Sequence, residues 1–395
     1  MKLYLRKEFF GSIIYNPSNA KYFNLDFNQT NSLINFFNNE NQISEQTIKG
    51  ETLFTLIVGN KLNQKSLYSL KYIHNNQHIQ CQNKLSVPLK VFFNITKKCN
   101  LFCKHCYNDS GHVYSPELPL IDIIKTLKEL EVRGIFKITI AGGEPLFHRN
   151  FDEIIDYLSN TDLAVSLITN GICISENRAK FLSKNLNVRS ITISLDGASS
   201  KDNDIVRGEK TFNRIIRGIK NLKKYYDRSL AVRITIMRSN IDTIKDFPSL
   251  VAKFGVNEIK VNSINAYGRA KCAPELFITT EEYNIACKQL LDSSVGHNIS
   301  IEVPAYKYRR DHNGEIGLCK SGEETFEIDS DGSVFPCSFS FGNFLSGNIC
   351  HDTFDDILYN LQLHNINNTQ CYQCKGRGGV KEKIFGTVPL LVHCP

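Results

Sequence analysis

The feature that most constrains this chain is a loop of three cysteines, Cys99, Cys103 and Cys106. They stand in a C-x3-C-x2-C spacing directly after the apolar run Val91-Phe92-Phe93-Asn94-Ile95-Thr96. Three thiolates so spaced behind a strand-like run read as ligands of one iron–sulfur cluster. A four-iron cube needs four outer ligands, and this loop offers three. One iron is left open, and an open metal position is where a cofactor or substrate binds. A zinc knuckle or three unrelated core thiols would use the same residues, so the loop alone leaves those readings standing.

Composition narrows the frame. At 395 residues the chain exceeds one ordinary core and suggests two or three domains. Hydrophobic residues make up 42% and charged residues 22%, the proportions of a soluble globular protein. No apolar run approaches the ~20 residues of a membrane span. Charges in Met1-Lys2-Leu3-Tyr4-Leu5-Arg6-Lys7 sit where a signal peptide carries its apolar region, so the expected location is the cytoplasm. An odd count of 13 cysteines at this length is not a secreted disulfide scaffold. The net charge of +7 has no long basic block behind it, so nucleic acid is not an expected partner, whereas an acidic peptide would suit.

From residue 85 to 300 strand-like and helical patterns alternate. Buried-type runs at 91–96, 137–141, 164–169, 190–195, 231–236 and 258–262 interleave with helical periods at 120–133, 150–159, 176–184, 211–225, 243–254 and 280–293. Six such units with non-alternating strands imply a parallel sheet, an α/β fold in which functional residues gather at the C-terminal ends of strands. Polar motifs stand at those ends: Gly142-Gly143-Glu144-Pro145, Thr169-Asn170-Gly171 and Ser194-Leu195-Asp196-Gly197. Arg207 and Arg233 are candidates for an anionic group, with a plain ion pair as the alternative for each. Cys173, Cys272 and Cys287 have no partner at ligand spacing and read as core or surface thiols.

The three-cysteine loop followed some forty residues on by Gly142-Gly143-Glu144-Pro145 resembles the signature of radical S-adenosylmethionine (AdoMet) enzymes. One departure is His105, where the usual pattern has an aromatic. The resemblance implies a partial (β/α)6 barrel whose Cys99, Cys103 and Cys106 hold a [4Fe–4S] cluster, with the open iron chelating AdoMet. It further implies that the Gly142 to Pro145 motif borders the AdoMet amino group. Asn170, Ser194 and Asp196 would line the cofactor site, Arg207 and Arg233 would be candidates for its carboxylate, and residues 262–270 would approach the adenine.

The two ends carry less specific signals. Strand-like stretches at 2–6, 11–15 and 20–25, then helical patterns to residue 37, at 44–53 and at 64–73, make a winged-helix-like unit over residues 1–84. Arg6-Lys7-Glu8-Phe9-Phe10-Gly11-Ser12-Ile13-Ile14-Tyr15 resembles the opening of a PqqD-like recognition element, which implies capture of a leader peptide as an added strand. A stabilising cap is the alternative. Over residues 301–395, Cys319, Cys337, Cys371 and Cys374 supply four thiolates around an Asp-Gly hairpin signal, a full shell for one closed cluster or a zinc. With Gly332 five residues before Cys337, the set resembles a SPASM or twitch domain holding one auxiliary [4Fe–4S] cluster. Cys394 is an optional extra ligand, and Cys350 reads as core.

Taken together, the chain is most similar to sactipeptide maturases of the sporulation-killing-factor type. That implies a thioether crosslink from a cysteine sulfur to a carbon of a ribosomally made precursor peptide, with a flavodoxin- or ferredoxin-type electron donor. Carbon–carbon crosslinking, epimerisation, a dehydrogenase or protein-activating role, and a zinc-binding adaptor are the alternatives.

Overall fold

A computed structural model of the chain describes residues 1–38, 45–59, 67–74, 84–112, 116–303, 321–340 and 344–366. It opens with the antiparallel strands β1 (Lys2–Glu8), β2 (Gly11–Asn16) and β3 (Lys21–Asp26), then α1 (Phe27–Asn38) and α2 (Glu45–Val58). The expected third helical stretch at 64–73 ends instead in a strand, β4 (Ser69–Ile73). Its register on β1 is parallel, Leu3 facing Leu70 and Leu5 facing Tyr72, so β1's open edge takes up a segment whose helical periodicity was weak. The sheet order is β3-β2-β1-β4. One face carries Leu3, Leu5 and Ile14 into a core with Leu33, Phe36, Phe54 and Ile57 of the two helices.

The second sheet follows the alternation read from sequence. Strands β5 (Lys90–Thr96), β6 (Lys137–Gly142), β7 (Ala164–Thr169), β8 (Val188–Ser194), β9 (Ser229–Ile236) and β10 (Glu258–Ser263) are parallel neighbours in chain order. Between them run α3 (Leu120–Val132), α4 (Phe151–Ser159), α5 (Glu176–Lys184), α6 (Ser200–Arg207) and α7 (Thr211–Tyr225), then α8 (Phe247–Lys253) and, after β10, α9 (Thr280–Ser294). Side chains such as Ile123, Ile154, Leu182, Ile219 and Leu290 lie fully buried against strand residues such as Ile138, Leu167, Ile193 and Ile234. The sheet gains a short parallel strand β11 (Ser300–Glu302) beyond β10.

On the other side, β12 (Thr325–Ile328) pairs in parallel with β5 and turns through Asp331 and Gly332 into β13 (Ser333–Phe335), which pairs with β14 (Gly347–Asn348). The hairpin read as part of a separate C-terminal module is therefore continuous with the barrel sheet, next to the cysteine-bearing strand. Helix α10 (Phe354–Ile366) closes the described chain. Among the described residues no helix is long and apolar enough to cross a membrane.

The small sheet seals the base of the barrel, where its strands begin. Tyr15 stacks on Phe136 with ring centroids 4.4 Å apart, Tyr22 receives the Phe136 amide and donates to the Leu89 carbonyl, and Tyr4 and Tyr15 reach Asp162. Arg6 is the hub. It ion-pairs with Glu8 at 2.6 Å and donates to the carbonyls of Val87, Pro88 and Gly134, all just upstream of β5 or β6. Both partners are buried, so removing one strands the other in low dielectric. Arg6→Ala is expected to destabilise the protein by about 3 kcal/mol in urea unfolding. A change under about 1 kcal/mol, the size of an exposed pair, would contradict this assignment.

Candidate active site

At the opposite end of the barrel, the exit of β5 and the exit of β6 lock together. Gly143 donates its amide to the Thr96 carbonyl at 2.7 Å and Glu144 donates to the Lys98 carbonyl at 2.9 Å. A Cβ at Gly143 would lie 2.3 Å from the Lys98 carbonyl oxygen, so the approach requires glycine. The loop carrying Cys99, Cys103 and Cys106 leaves this junction and is pinned elsewhere too. Lys104 N bonds the Val206 carbonyl at the end of α6, while Arg269 donates from Nε to the Cys103 carbonyl at 3.0 Å and from Nη1 to the Ser110 carbonyl at 2.7 Å. The stretch around Tyr267-Gly268-Arg269, expected near an adenine, thus also clamps the cysteine loop, and its guanidinium covers the Phe102 ring at 3.7 Å.

The three thiols line one cavity of about 500 Å³. Burial pushes the Cys99 thiol up to about 12 and the Cys103 thiol up to about 11; Cys103 and Cys106 add to the rise at Cys99, while at Cys103 the Arg207 charge opposes it and Cys106 adds to it. Such thiols become thiolates only with a strong Lewis acid among them. Among the described residues no three His, Cys, Asp or Glu side chains converge on a single-ion site, which is what a zinc knuckle needs. Cluster ligands bind separate irons, and the Ser110 amide already points at Cys106 Sγ, 3.4 Å away, as second-sphere donors to a cluster do. The donor set fits an iron–sulfur cluster.

Of the other residues singled out from sequence, Gly142, Gly143, Asn170, Ser194, Arg207 and Arg233 line the same cavity. Glu144, Pro145 and Asp196 do not; they stand behind its wall. Glu144 accepts from Thr169 Oγ1 at 2.7 Å, Asn170 N at 2.7 Å and Leu146 N at 3.1 Å, which spends both its oxygens on joining the exits of β6 and β7. Burial raises its carboxyl to about 7 against the pull of those donors. Pro145 opens the buried turn that follows.

Asp196 is fully buried, 2.7 Å from Arg207 Nε and 2.9 Å from His105 Nε2, and it accepts from the Thr235 amide at 2.8 Å. Burial alone would raise this carboxyl, but Arg207 and His105 outweigh it and hold it well below the usual carboxylate range. His105 thus ties the cysteine loop to the exit of β8, a role the sequence does not disclose because the partners lie far apart in the chain.

Four further expectations meet the structure here. Cys337 lines the cavity from the side of β13, whereas Cys319, Cys371, Cys374 and Cys394 lie outside the described residues. Cys350, expected in the core, is exposed, because it sits in the turn between β14 and α10, with its amide on Asn348 Oδ1. Cys272, expected as a lone thiol, is disulfide-bonded. Cys173 is half-buried and Cys287 buried, as plain thiols would be.

Comparison with known proteins bears on the same residues. The chain matches the radical SAM superfamily over residues 93–251 and an iron–sulfur cluster-binding domain, SPASM, over residues 319–375. It is 30% identical over 281 residues to mycofactocin maturase MftC of Mycolicibacterium smegmatis, a match covering 69% of this chain and 70% of that protein. This chain belongs to the radical SAM superfamily. Among its Bacillus subtilis relatives in the superfamily are the subtilosin biosynthesis protein AlbA, 26% identical over 75% of this chain and 68% of that protein, and the sporulation killing factor maturation protein SkfB, 28% identical over 69% and 65%. The fold matches that of Streptococcus suis SuiB bound to S-adenosylmethionine, with a TM-score of 0.67 and 18% identity over 90% of this chain and 87% of that one.

As a radical SAM enzyme with a SPASM domain, the protein uses a [4Fe–4S] cluster, AdoMet and auxiliary iron–sulfur chemistry. The clamp on the cluster loop is testable. Gly268 has φ +53°, and a Cβ there would lie 2.3 Å from the Cys106 carbonyl oxygen and 2.4 Å from that of Tyr107. Gly268→Ala is expected to at least halve the iron and sulfide retained after anaerobic reconstitution. Gly296→Ala, at a positive φ with nothing within 4 Å, should leave both unchanged.

Proposed function

We propose that this radical SAM enzyme matures a ribosomally synthesised peptide, most simply by joining a cysteine sulfur to a carbon in a thioether. The observation that carries this reading is the shared cavity. Cys99, Cys103 and Cys106 form one of its walls, and Cys337, Ser338 and Phe339 of the SPASM segment form another. The kinship with peptide and bacteriocin maturases supports it further. Cys99, Cys103 and Cys106 would hold the cluster, and with AdoMet it would supply the one-electron chemistry that takes a hydrogen atom from an unactivated carbon. Cys319, Cys337, Cys371 and Cys374 would hold an auxiliary [4Fe–4S] cluster, which would take up the electron left over when the C–H hydrogen atom and the thiol proton depart and the S–C bond forms.

The chain's own residues then have defined tasks. Asp196 fixes Arg207 at the cavity wall, where its guanidinium suits a carboxylate such as that of AdoMet. Asn170, with its amide nitrogen 2.7 Å from Asn100 Oδ1, stiffens the exit of β7 beside Cys99. Apolar walls from Phe92, Leu101, Ile168, Ile264 and Phe326 keep water from a reactive radical. Epimerisation would need a spare thiol to return a hydrogen, but among the described residues every thiol lining the cavity is one of the proposed cluster ligands.

The N-terminal sheet supports a PqqD-like role for leader capture. Its edge strand β3 has no neighbour on its outer side among the described residues, leaving backbone groups for an added strand. This sheet sits at the base of the barrel and the cavity at the top. At ~3.3 Å per residue, a linker of roughly ten residues between leader and modified segment spans the strand height of the barrel. An electron donor of the flavodoxin or ferredoxin type and a cytoplasmic setting complete the proposal.

The test is anaerobic incubation of the reconstituted enzyme with AdoMet, a reductant and a cysteine-containing candidate precursor peptide. A product lighter by two hydrogens and 5′-deoxyadenosine are expected, and both should vanish in the Cys99, Cys103, Cys106 triple alanine variant. Deoxyadenosine without any change in peptide mass would sink the crosslinking reading and leave the radical SAM assignment intact.

A further inference from the structure

The cavity has two flanks. Strand ends β6 to β8 bring the glycine motif, Asn170 and Ser194 to one; β12 and residues 336–339 form the other. The second flank contains a carboxyl that the cofactor motifs leave unused. Glu327 is 1% exposed and sits on β12 between the core residues Phe326 and Ile328. Asn94 Nδ2 donates to its Oε1 at 2.6 Å, and the Ser338 hydroxyl donates to its Oε2. A carboxylate accepts about four hydrogen bonds. Two donors leave each oxygen a lone pair, and Glu327 is among the residues that line the cavity.

The carboxyl serves the fold as acceptor for the buried Asn94 side chain and for Ser338, but those two bonds do not use all of its acceptor capacity. The strand is held by backbone pairing to β5 and β13, and an apolar side chain there would avoid the cost of burying a charge. The groups around it are polar as well. Tyr107 of the cysteine loop faces the cavity, and Arg233 of β9 lines it too, with an Nε that finds no hydrogen-bond partner among the described residues. Asp329, further along the chain, is taken by Lys97 at 2.6 Å. Burial pushes the Glu327 carboxyl up to about 8, opposed by the donors Ser338 and Asn94 and reinforced by the charge of Asp329. In either protonation state the carboxyl keeps an unused oxygen lone pair.

We infer that Glu327 is a substrate-contacting specificity residue. Its carboxyl accepts a hydrogen bond from the thiol or hydroxyl of the peptide residue under modification and seats that residue across the cavity from the cofactor flank. This rests on the peptide-maturation reading above.

Saturation-transfer NMR on the cluster-loaded enzyme with AdoMet tests it, with the methylamides of N-acetylcysteine, N-acetylserine and N-acetylalanine as probes. The wild type is expected to hold the cysteine or the serine probe up to about tenfold more tightly than the alanine probe, the difference one hydrogen bond makes. Which of the two binds better tells thiol from hydroxyl. Glu327→Met, which removes both acceptor oxygens at similar side-chain length, should lose this discrimination while its AdoMet affinity stays at the wild-type value. Where the methionine variant does not fold, Glu327→Asp, which withdraws the carboxyl by one methylene, should show the same loss. Equal binding of the three probes by wild type, or undiminished discrimination in both variants, overturns the inference. If the probes are discriminated but no peptide is modified, the maturation reading fails alone; if a peptide is modified but the probes bind alike, only the role of Glu327 falls.

Discussion

The active end of this protein depends on one buried carboxylate. Asp196 touches four parts of the chain: the cysteine loop through His105, the end of α6 through Arg207, the exit of β9 through the Thr235 amide, and residue 240, whose side chain bonds its carbonyl. A lone charge at full burial is untenable. Two cationic or polarised partners and a backbone donor make it tenable, and in being satisfied it fixes where each of them stands. The Arg207 contact is an ion pair set off the N–H axis rather than an aligned hydrogen bond, so orientation comes from the whole cluster and not from any single bond. Losing one partner from such a cluster leaves an uncompensated buried charge, a penalty of about 3 to 5 kcal/mol. Networks of this kind transmit a fault at one member to all the others.

The same economy of position explains the two ends of the barrel. At the base, aromatic rings and the Arg6 hub close the strand starts, so the interior there is filled and structural. At the top, glycines and carbonyls replace side chains, and the strand exits leave a cavity with polar walls. A parallel barrel separates stability from chemistry in this way because all strands end on one face. Here the N-terminal sheet extends the separation, adding its own core while contributing no residue to the cavity wall.

How far this was legible in the sequence depended on range. Helix α5 falls on the stretch expected, 176–184, because Ser175 supplies a side-chain cap to the Arg178 amide, a purely local signal. The six parallel strands were visible for a similar reason, as fully buried strands read as unbroken apolar runs. Residues 69–73 misled, since their strand exists only by pairing with β1, which lies some sixty residues earlier in the chain. The cysteine loop and the glycine motif could be read because their function lies in spacing. His105 and Arg269 could not, since each acts through a partner about ninety or more residues away.

Glu327 shows the limit most clearly. In sequence, Thr325-Phe326-Glu327-Ile328 alternates polar and apolar like a hairpin arm with one wet face, and an acid in such a pattern belongs in solvent. The structure reverses that inference because β12 pairs in parallel with β5 and turns its polar face toward the barrel interior. The pattern itself was right, since the strand has two unlike faces. What changed is the identity of the wet side, a cavity in place of bulk water. A polar strand face turned into an enclosed chamber is both a packing and a chemical surface: Glu327 satisfies the buried Asn94 side chain and lines the cavity as well.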